Sequence, residues 1–215
     1  MKKSLIALAA LAVVSAASAQ SSVTLYGRLD ASVGSTSTET TGAAPVAKLS
    51  QTGVSSSAMN TTFWGLKGSE DLGAGIQANF KLESQFNMDT GVASGTLFER
   101  QAYVGLSGNF GSVNLGRQYT SYYSSYGGTE MLWDSNFAVS STVDKTGTGS
   151  NGTRADNAVR YDSPSFSGVT GSVTYGFGEN KKAGGNLGDA TDNISFNVTY
   201  ANGPVMATFA HQENT

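Results

Sequence analysis

The stretch Ile76-Gln77-Ala78-Asn79-Phe80-Lys81-Leu82-Glu83-Ser84-Gln85-Phe86 alternates almost strictly between apolar and polar residues. Successive side chains of an extended strand point to opposite faces, so one face of this segment is apolar and the other polar. The strands of a parallel α/β sheet are instead apolar on both faces. The stretch therefore predicts an antiparallel strand that has an apolar medium on one side and water on the other.

The same two-residue period recurs along the chain, and no stretch shows a sustained helical period. Val23–Val33, Val169–Phe177 and Asn193–Tyr200 are clear examples. Nine segments fit the pattern, and most are close to the 9–11 residues that a tilted membrane strand needs. These predicted strands are 23–33, 60–68, 75–87, 97–107, 112–118, 154–163, 168–178, 192–200 and 204–215.

Short and long connections alternate between these segments. Tight links lie at 69–75, 108–111 and 201–204, whereas long polar stretches lie at 34–60, 119–153 and 179–191. Tight turns at one rim and long loops at the other are typical of a transmembrane β-barrel. A soluble β-sandwich also alternates in polarity and is the alternative fold. The amide and charged side chains in mid-strand favour the barrel, because a water-filled interior needs them.

The composition excludes several classes of protein. The 215-residue chain has no Cys, which excludes a disulfide-stapled module and a Cys-ligated metal site. Charged residues make up 13% and the net charge is -3, so the sequence lacks the excess of basic residues that is typical of nucleic-acid-binding proteins. Hydrophobic residues make up only 39%, but the 10% aromatic content argues against disorder. An all-β protein with two different faces fits these values.

The first 19 residues have the features of a cleaved export signal. Lys2 and Lys3 precede an apolar run at 5–14, and 17–19 reads Ala-Ser-Ala, a typical cleavage site. The run is shorter than the ~20 residues of a membrane-spanning helix. We predict a signal peptide at 1–19 and one domain at 20–215. Loss of both lysines leaves 11 basic against 16 acidic residues, a formal charge of -5.

The number of predicted strands is odd. Single-chain bacterial barrels close with an even number, because an open edge in lipid leaves backbone groups unpaired. No closing strand that ends in an aromatic residue precedes Thr215. We therefore expect the sequence to be the N-terminal part of a longer barrel.

Five motifs resemble those of the general diffusion porins, and most closely those of trimeric beta-proteobacterial porins. They follow in family order along nearly the whole mature chain: Ser22-Val23-Thr24-Leu25-Tyr26-Gly27, Trp64-Gly65-Leu66-Lys67-Gly68-Ser69-Glu70-Asp71-Leu72-Gly73, Arg100-Gln101-Ala102-Tyr103-Val104-Gly105-Leu106, Leu115-Gly116-Arg117-Gln118-Tyr119 and Asn157-Ala158-Val159-Arg160-Tyr161-Asp162-Ser163-Pro164. The resemblance implies an all-β fold, a 16-stranded antiparallel transmembrane β-barrel of which about the first nine strands are present.

The resemblance also implies a function. Such a protein is a homotrimer in outer-membrane lipid and forms a passive, water-filled channel for ions and small hydrophilic solutes. It needs no cofactor and no metal, and nucleic acid is not a partner. Its third loop folds into the barrel and narrows it.

The resemblance further indicates which residues line the narrow section. Arg28, Arg100 and Arg154 match basic positions of the wall, and 119–153 matches the inward loop. Glu130 and Asp134 match the acidic residues of that loop. Opposite fixed charges across a narrow pore create a transverse field that orders water and favours polar solutes. Taken singly, each of these residues also fits an ordinary rim or loop charge.

One position departs from the family pattern. Phe63 stands where the family often has Arg, two residues before Gly65. This substitution predicts a thinner basic cluster and leaves the sign of ion selectivity open. The tyrosines at 119, 122, 123 and 126 indicate loop packing or an interfacial girdle, with a sugar-stacking path as the lesser alternative.

An enzyme and a membrane anchor or adhesin are two other classes of function for such a chain. An enzyme is not predicted, because His211 is the only His and no Gly-x-Ser-x-Gly motif is present. An outer-membrane anchor or adhesin that displays its loops is the alternative function. The loop at 119–153 separates the two, since a pore folds it towards Arg28, Arg100 and Arg154, whereas an adhesin exposes it.

Overall fold

The computed structural model describes residues 22–39, 48–132, 135–138, 152–178 and 192–214. Within these ranges the chain forms eleven strands and one short helix. The strands are β1 (Ser22–Arg28), β2 (Ala31–Glu39), β3 (Lys48–Ser56), β4 (Phe63–Gly73), β5 (Ile76–Gln85), β6 (Gln101–Gly108), β7 (Gly111–Tyr119), β8 (Arg154–Asp162), β9 (Val169–Gly176), β10 (Asn193–Asn202) and β11 (Val205–Asn214). Helix α1 (Ser121–Ser124) follows β7 and continues into a 3-10 turn at Ser125–Gly128.

Nine of the strands form a single antiparallel sheet in the order β1-β4-β5-β6-β7-β8-β9-β10-β11. Each strand pairs with the next of the nine in the chain, as expected when consecutive strands are joined at alternating edges. The all-β antiparallel prediction is therefore confirmed. The turns at 73–76, 108–111 and 202–205 lie at one edge, which we call the short-turn edge, and the long connections lie at the opposite edge, the long-loop edge.

The predicted strand 23–33 and the predicted loop 34–60 are wrong in detail. The chain leaves the sheet after Arg28, and 31–39 pairs with 48–56 as a separate two-stranded hairpin. Asp30 causes the break, because its carboxylate and carbonyl accept hydrogen bonds from the backbone of residues 57–60. The hairpin is rich in Ser and Thr and is exposed along almost its whole length.

The side chains of the sheet are distributed in the opposite way to those of a soluble protein. Among the described residues the buried hydrophobic side chains are three alanines, whereas thirteen polar or charged side chains are buried. Large apolar side chains are exposed, with Leu25 at 70% and Phe209 at 65% of their full area. A soluble sandwich buries such an apolar face. The distribution therefore favours strands whose apolar face meets lipid.

Cross-strand register keeps the two faces separate. The apolar face contains the row Leu25, Leu66 and Leu82, while the polar face contains the row Thr24, Lys67, Lys81 and Tyr103. If one strand slipped by one residue against its neighbour, its polar side chains would move to the apolar face of the sheet. Burial of the polar side chains therefore specifies the register. Within the described ranges, no helix has the length and apolar character needed to cross a bilayer.

Candidate functional site

The three predicted arginines lie together at the long-loop edge of the sheet. Arg28 is the last residue of β1, Arg100 directly precedes β6, and Arg154 is the first residue of β8. Each is thus placed at the point where a strand meets a long connection. We call these three residues the arginine row.

An aromatic ring separates the first two members of the arginine row. Phe63 is the register partner of Arg28 across the β1–β4 pair. Its ring centroid lies 5.4 Å from the guanidinium carbon of Arg28 and 4.5 Å from that of Arg100. Both distances are within the range of a cation–π contact. Phe63 therefore does not interrupt the basic cluster but packs between two of its members.

A tyrosine joins the second and third members. The hydroxyl oxygen of Tyr119 accepts a hydrogen bond from Nη2 of Arg100 at 3.1 Å and from Nη2 of Arg154 at 3.0 Å. The guanidinium carbon of Arg154 also lies 4.6 Å from the Tyr119 ring centroid. The row thus alternates between cations and rings, which lets three positive charges lie close together without direct contact.

A buried carboxylate anchors the row to the sheet. Glu83 is only 3% exposed and its Oε2 lies 3.4 Å from Nε of Arg100. Its two oxygens also accept hydrogen bonds from the Tyr26 hydroxyl at 2.6 Å and the Gln101 amide at 3.0 Å. The Lys81 ammonium lies 3.0 Å from Oε1. A buried charge needs such complete pairing, so this cluster holds Arg100 in one position.

The segment after β7 lies against the polar face. The backbone N–H of Ser121 donates to Oγ1 of Thr174 and Oγ of Ser195, both at 3.1 Å. Nη1 of Arg160 donates to the Tyr119 carbonyl at 3.0 Å and to Oγ of Ser124 at 2.7 Å. Helix α1 is therefore fixed over β8, β9 and β10.

The far part of the same segment, residues 135–138, contacts the chain near β1 and β4, at the opposite end of the strand order. The backbone N–H of Asn136 donates to the Met59 carbonyl at 2.8 Å, and its side-chain amide donates to the Ser57 carbonyl at 2.7 Å. Ser135 forms an isolated β-bridge with Asn60. Residues 57–60, which we call the receiving turn, lie two residues before β4, the neighbour of β1. The described parts of the segment therefore contact β8, β9 and β10 at one end and the receiving turn at the other.

Asp30 shapes the receiving turn. Its carboxylate accepts backbone N–H groups of Asn60 at 2.7 Å, Ala58 at 3.0 Å and Met59 at 3.1 Å. These hydrogen bonds, that of Asn60 first, and the nearby charge of Arg28 hold the pKa of Asp30 below its usual value, although partial desolvation opposes them. A hydrogen bond to the ionised form favours that form.

The predicted acidic residues are only partly described. Glu130 is half-buried and its backbone N–H donates to the Tyr126 carbonyl at 3.0 Å. Asp134 lies outside the described residues, as do 139–151 of the predicted loop and the predicted signal peptide at 1–19. The described structure brings the three arginines together. That Glu130 and Asp134 face these arginines stays a prediction.

Sequence reasoning missed four residues that build the site. Phe63 and Tyr119 separate the arginines, Glu83 anchors Arg100, and Arg160 holds α1. The polar alternation of 76–86 was a signal for Glu83, but nothing in the sequence signalled the pairing of Tyr119 with Arg154.

Two features of the described residues concern possible metal ligands and the one histidine of the chain. No group of three His, Cys, Asp or Glu side chains there is arranged to hold a metal ion. The His211 ring packs 5.7 Å from the Phe196 ring, on the apolar face.

Comparison with known proteins identifies relatives along almost the whole chain. The sequence profile of the Gram-negative porins matches residues 7–215. Outer membrane porin protein 32 of Delftia acidovorans is 40% identical over 217 residues, which cover 97% of this chain and 58% of the relative. Major outer membrane protein P.IB of Neisseria lactamica is 33% identical over 210 residues, which cover 98% of this chain and 58% of the relative.

A solved structure has the same fold. The anion-selective porin from Comamonas acidovorans superimposes with a TM-score of 0.73 and 33% identity, over 90% of this chain and 57% of that one. The chain therefore spans a little under three fifths of the length of these relatives.

Proposed function

The chain belongs to the Gram-negative porin family, and on that basis we propose that it forms part of the wall of a passive, water-filled channel. The family assigns it to the outer membrane. The solutes would be ions and small hydrophilic molecules, and no cofactor would be required. One observation supports this function most directly: the sheet exposes its apolar face and buries a charged, hydrogen-bonded polar face.

The arginine row would line the narrowest section of the channel. Arg28, Arg100 and Arg154 lie on one edge of the polar face, and the segment after β7 is hydrogen-bonded to that face from β8 to β10. In the proposed arrangement Glu130 and Asp134 lie on the loop at 119–153 and face the arginines. The resulting transverse field would favour small polar solutes over apolar ones of equal size.

The adhesin alternative receives less support. An adhesin displays its longest loop to the outside, whereas Ser121 and Asn136 are both hydrogen-bonded to the sheet or its receiving turn. The relatives from Delftia acidovorans and Comamonas acidovorans are also named as porins.

Assembly as a homotrimer is part of the proposal. A groove of about 560 Å³ lies beside β1 and is lined mainly by apolar side chains of the sheet, among them Val23, Phe80, Val104 and Leu115. Such a surface suits either lipid or another copy of the chain. Chemical cross-linking of the natural protein in outer-membrane vesicles tests this, with a three-subunit band expected.

Planar-bilayer recording of the natural protein tests the channel. We expect ohmic single-channel steps in KCl that scale with salt concentration, because the solutes cross through water. Absence of any ohmic conductance from correctly folded protein would contradict the channel.

We further expect the narrow section to favour anions, as the name of the Comamonas acidovorans relative states for that protein. Under a KCl gradient, Arg100→Ala should shift the reversal potential towards the equilibrium potential of K+. The substitution removes a positive charge and leaves the negative charge of Glu83 without this partner. Lys48→Ala is the matched control, since Lys48 lies on the exposed hairpin. Equal reversal potentials in the wild type and Arg100→Ala would show that Arg100 does not face the ion path.

A further inference from the structure

A second pair of cations lies on the polar face, on the side of the arginine row that faces the short-turn edge. Lys67 of β4 and Lys81 of β5 are direct register partners. Like charges placed directly opposite each other destabilise an antiparallel pair. The pair therefore destabilises the sheet unless other groups compensate for the repulsion between the two positive charges.

The compensation within the described residues is incomplete. The Nζ atoms of Lys67 and Lys81 lie 5.1 Å and 5.8 Å from the Tyr26 ring centroid, so one ring serves both cations. Lys81 also pairs with Glu83 at 3.0 Å. Glu83 in turn is shared among Tyr26, Gln101 and Arg100. Within the described part of the chain Lys67 has no carboxylate partner, and its side chain is exposed.

A polar recess of about 430 Å³ opens beside this pair. Besides the two lysines, Gly68 and Phe80, it is lined by hydrogen-bonding side chains from β1, β4, β5 and β6, which are Ser22, Thr24, Ser69, Asn79, Tyr103 and Ser107. Ammonium groups attract oxyanions as point charges, and hydroxyl and amide groups donate to the remaining oxygens. The lining thus fits a small carboxylate or phosphate better than a cation or an apolar molecule.

Lys67 lies further along the polar face than the arginine row, whereas Lys81 shares Glu83 with Arg100. Lys67 lies four residues along β4 from Phe63, which at about 3.3 Å per residue is about 13 Å towards the short-turn edge. A small anion that has left the arginine row would meet this second cationic position before it reached the short-turn edge. We propose that Lys67, with Lys81, forms a second anion-binding site on the channel wall, for small carboxylate or phosphate solutes. This inference rests on the proposed channel function.

Conductance in potassium succinate tests the site in the natural protein. We expect the conductance to saturate as succinate increases, with the half-saturating concentration at least threefold higher in Lys67→Gln than in the wild type. Lys67→Arg should restore the wild-type value, and Lys48→Gln should leave it unchanged. KCl conductance of each variant shows that it has folded into an open channel.

Two results would overturn the site while leaving the channel in place. One is an equal half-saturating concentration in the wild type and Lys67→Gln. The other is loss of saturation in Arg100→Ala alone, which would assign succinate binding to the arginine row. Failure of the correctly folded wild-type protein to conduct in KCl would instead contradict the channel.

Amine labelling provides a readout that needs no conductance. Succinate or inorganic phosphate should slow acylation of Lys67 by an amine-reactive ester at least threefold, as measured by mass spectrometry, and leave Lys48 unaffected. Separate titrations with the two anions show which oxyanion the site prefers. Unchanged labelling of Lys67 in both anions would overturn the proposal.

Discussion

At the scale of single residues, the site depends on how buried charges are shared. Glu83 holds Arg100 and Lys81 and also accepts hydrogen bonds from Tyr26 and Gln101. Arg100 is itself only 4% exposed. Removing one partner of a buried ion pair leaves the other charge uncompensated, which costs more than the pair contributes.

Glu83→Gln should therefore be strongly destabilising. We expect a loss of about 3–5 kcal/mol in the free energy of unfolding, measured by denaturant titration of the natural protein refolded in lipid vesicles. Glu39→Gln is the matched control, because Glu39 faces Lys48 on the exposed hairpin, where a pair is worth no more than about 1 kcal/mol. A cost for Glu83→Gln as small as that of Glu39→Gln would show that Glu83 does not anchor the row.

The residue scale is also where sequence reasoning was least complete. The three arginines were identified through family motifs, but Phe63 was interpreted only as the loss of one basic side chain. The structure shows its ring between Arg28 and Arg100. Tyr119 has the same parity as the outward-facing Val113 and Leu115, yet a register shift between Gly116 and Gln118 sets it opposite Arg154. Such a bulge depends on the pairing of two distant strands and leaves no local signal.

At the scale of elements, the strands were predictable because each has one apolar and one polar face. Each of the nine sheet strands overlaps one of the predicted segments, although β4 continues to Gly73, through most of the tight link predicted at 69–75. The hairpin of β2 and β3 was missed because its Ser, Thr and Gly residues are polar or small on both faces. Its turn away from the sheet depends on Asp30, whose partners lie about thirty residues further along the chain.

Asp30 links two elements, since the receiving turn that it shapes also binds Asn136 of the segment after β7. Its pKa is held below the ordinary value, chiefly by the N–H of Asn60, so the ionised form is favoured in the folded protein. A carboxyl with a lowered pKa contributes its full stabilisation above the unfolded pKa, about 3.9, and loses it as the pH falls through the folded value. The receiving turn should therefore loosen only below about pH 4.

Asp30→Asn tests this link. A neutral amide has one acceptor oxygen where the carboxylate has two, so at least one of the three backbone N–H groups loses its partner. We expect noisier single-channel current at pH 7 in this variant, and a smaller additional change between pH 5 and pH 3 than in the wild type. Asp71→Asn is the control, since Asp71 accepts the N–H of Gly73 in the tight turn at the opposite edge. Identical noise and acid response in the wild type and Asp30→Asn would contradict a role for Asp30 in holding the segment.

At the scale of the whole molecule, the low charge and low hydrophobicity of the sequence have one explanation. The apolar residues of each strand face outward, the polar ones face the other side, and an average over the chain conceals both. The sheet order β1-β4-β5-β6-β7-β8-β9-β10-β11 keeps this segregation across all nine strands. A mutation should therefore be tolerated or not according to the face on which it lies, rather than according to its position in the sequence.

Two neighbouring residues in the middle of β10 test this rule with the same substitution. Val198 lies on the apolar face and is 48% exposed, while Thr199 lies on the polar face opposite Thr208. Lysine in the lipid-facing mid-strand position of a membrane barrel costs about 2–4 kcal/mol, whereas a position on the water-filled side tolerates charge. Val198→Lys should thus lower the free energy of unfolding in lipid vesicles by that amount, and Thr199→Lys by less than about 1 kcal/mol. If the two variants were equally stable, or if Thr199→Lys were the more damaging, the apolar face would not be the lipid-facing one and the channel would lose its structural basis.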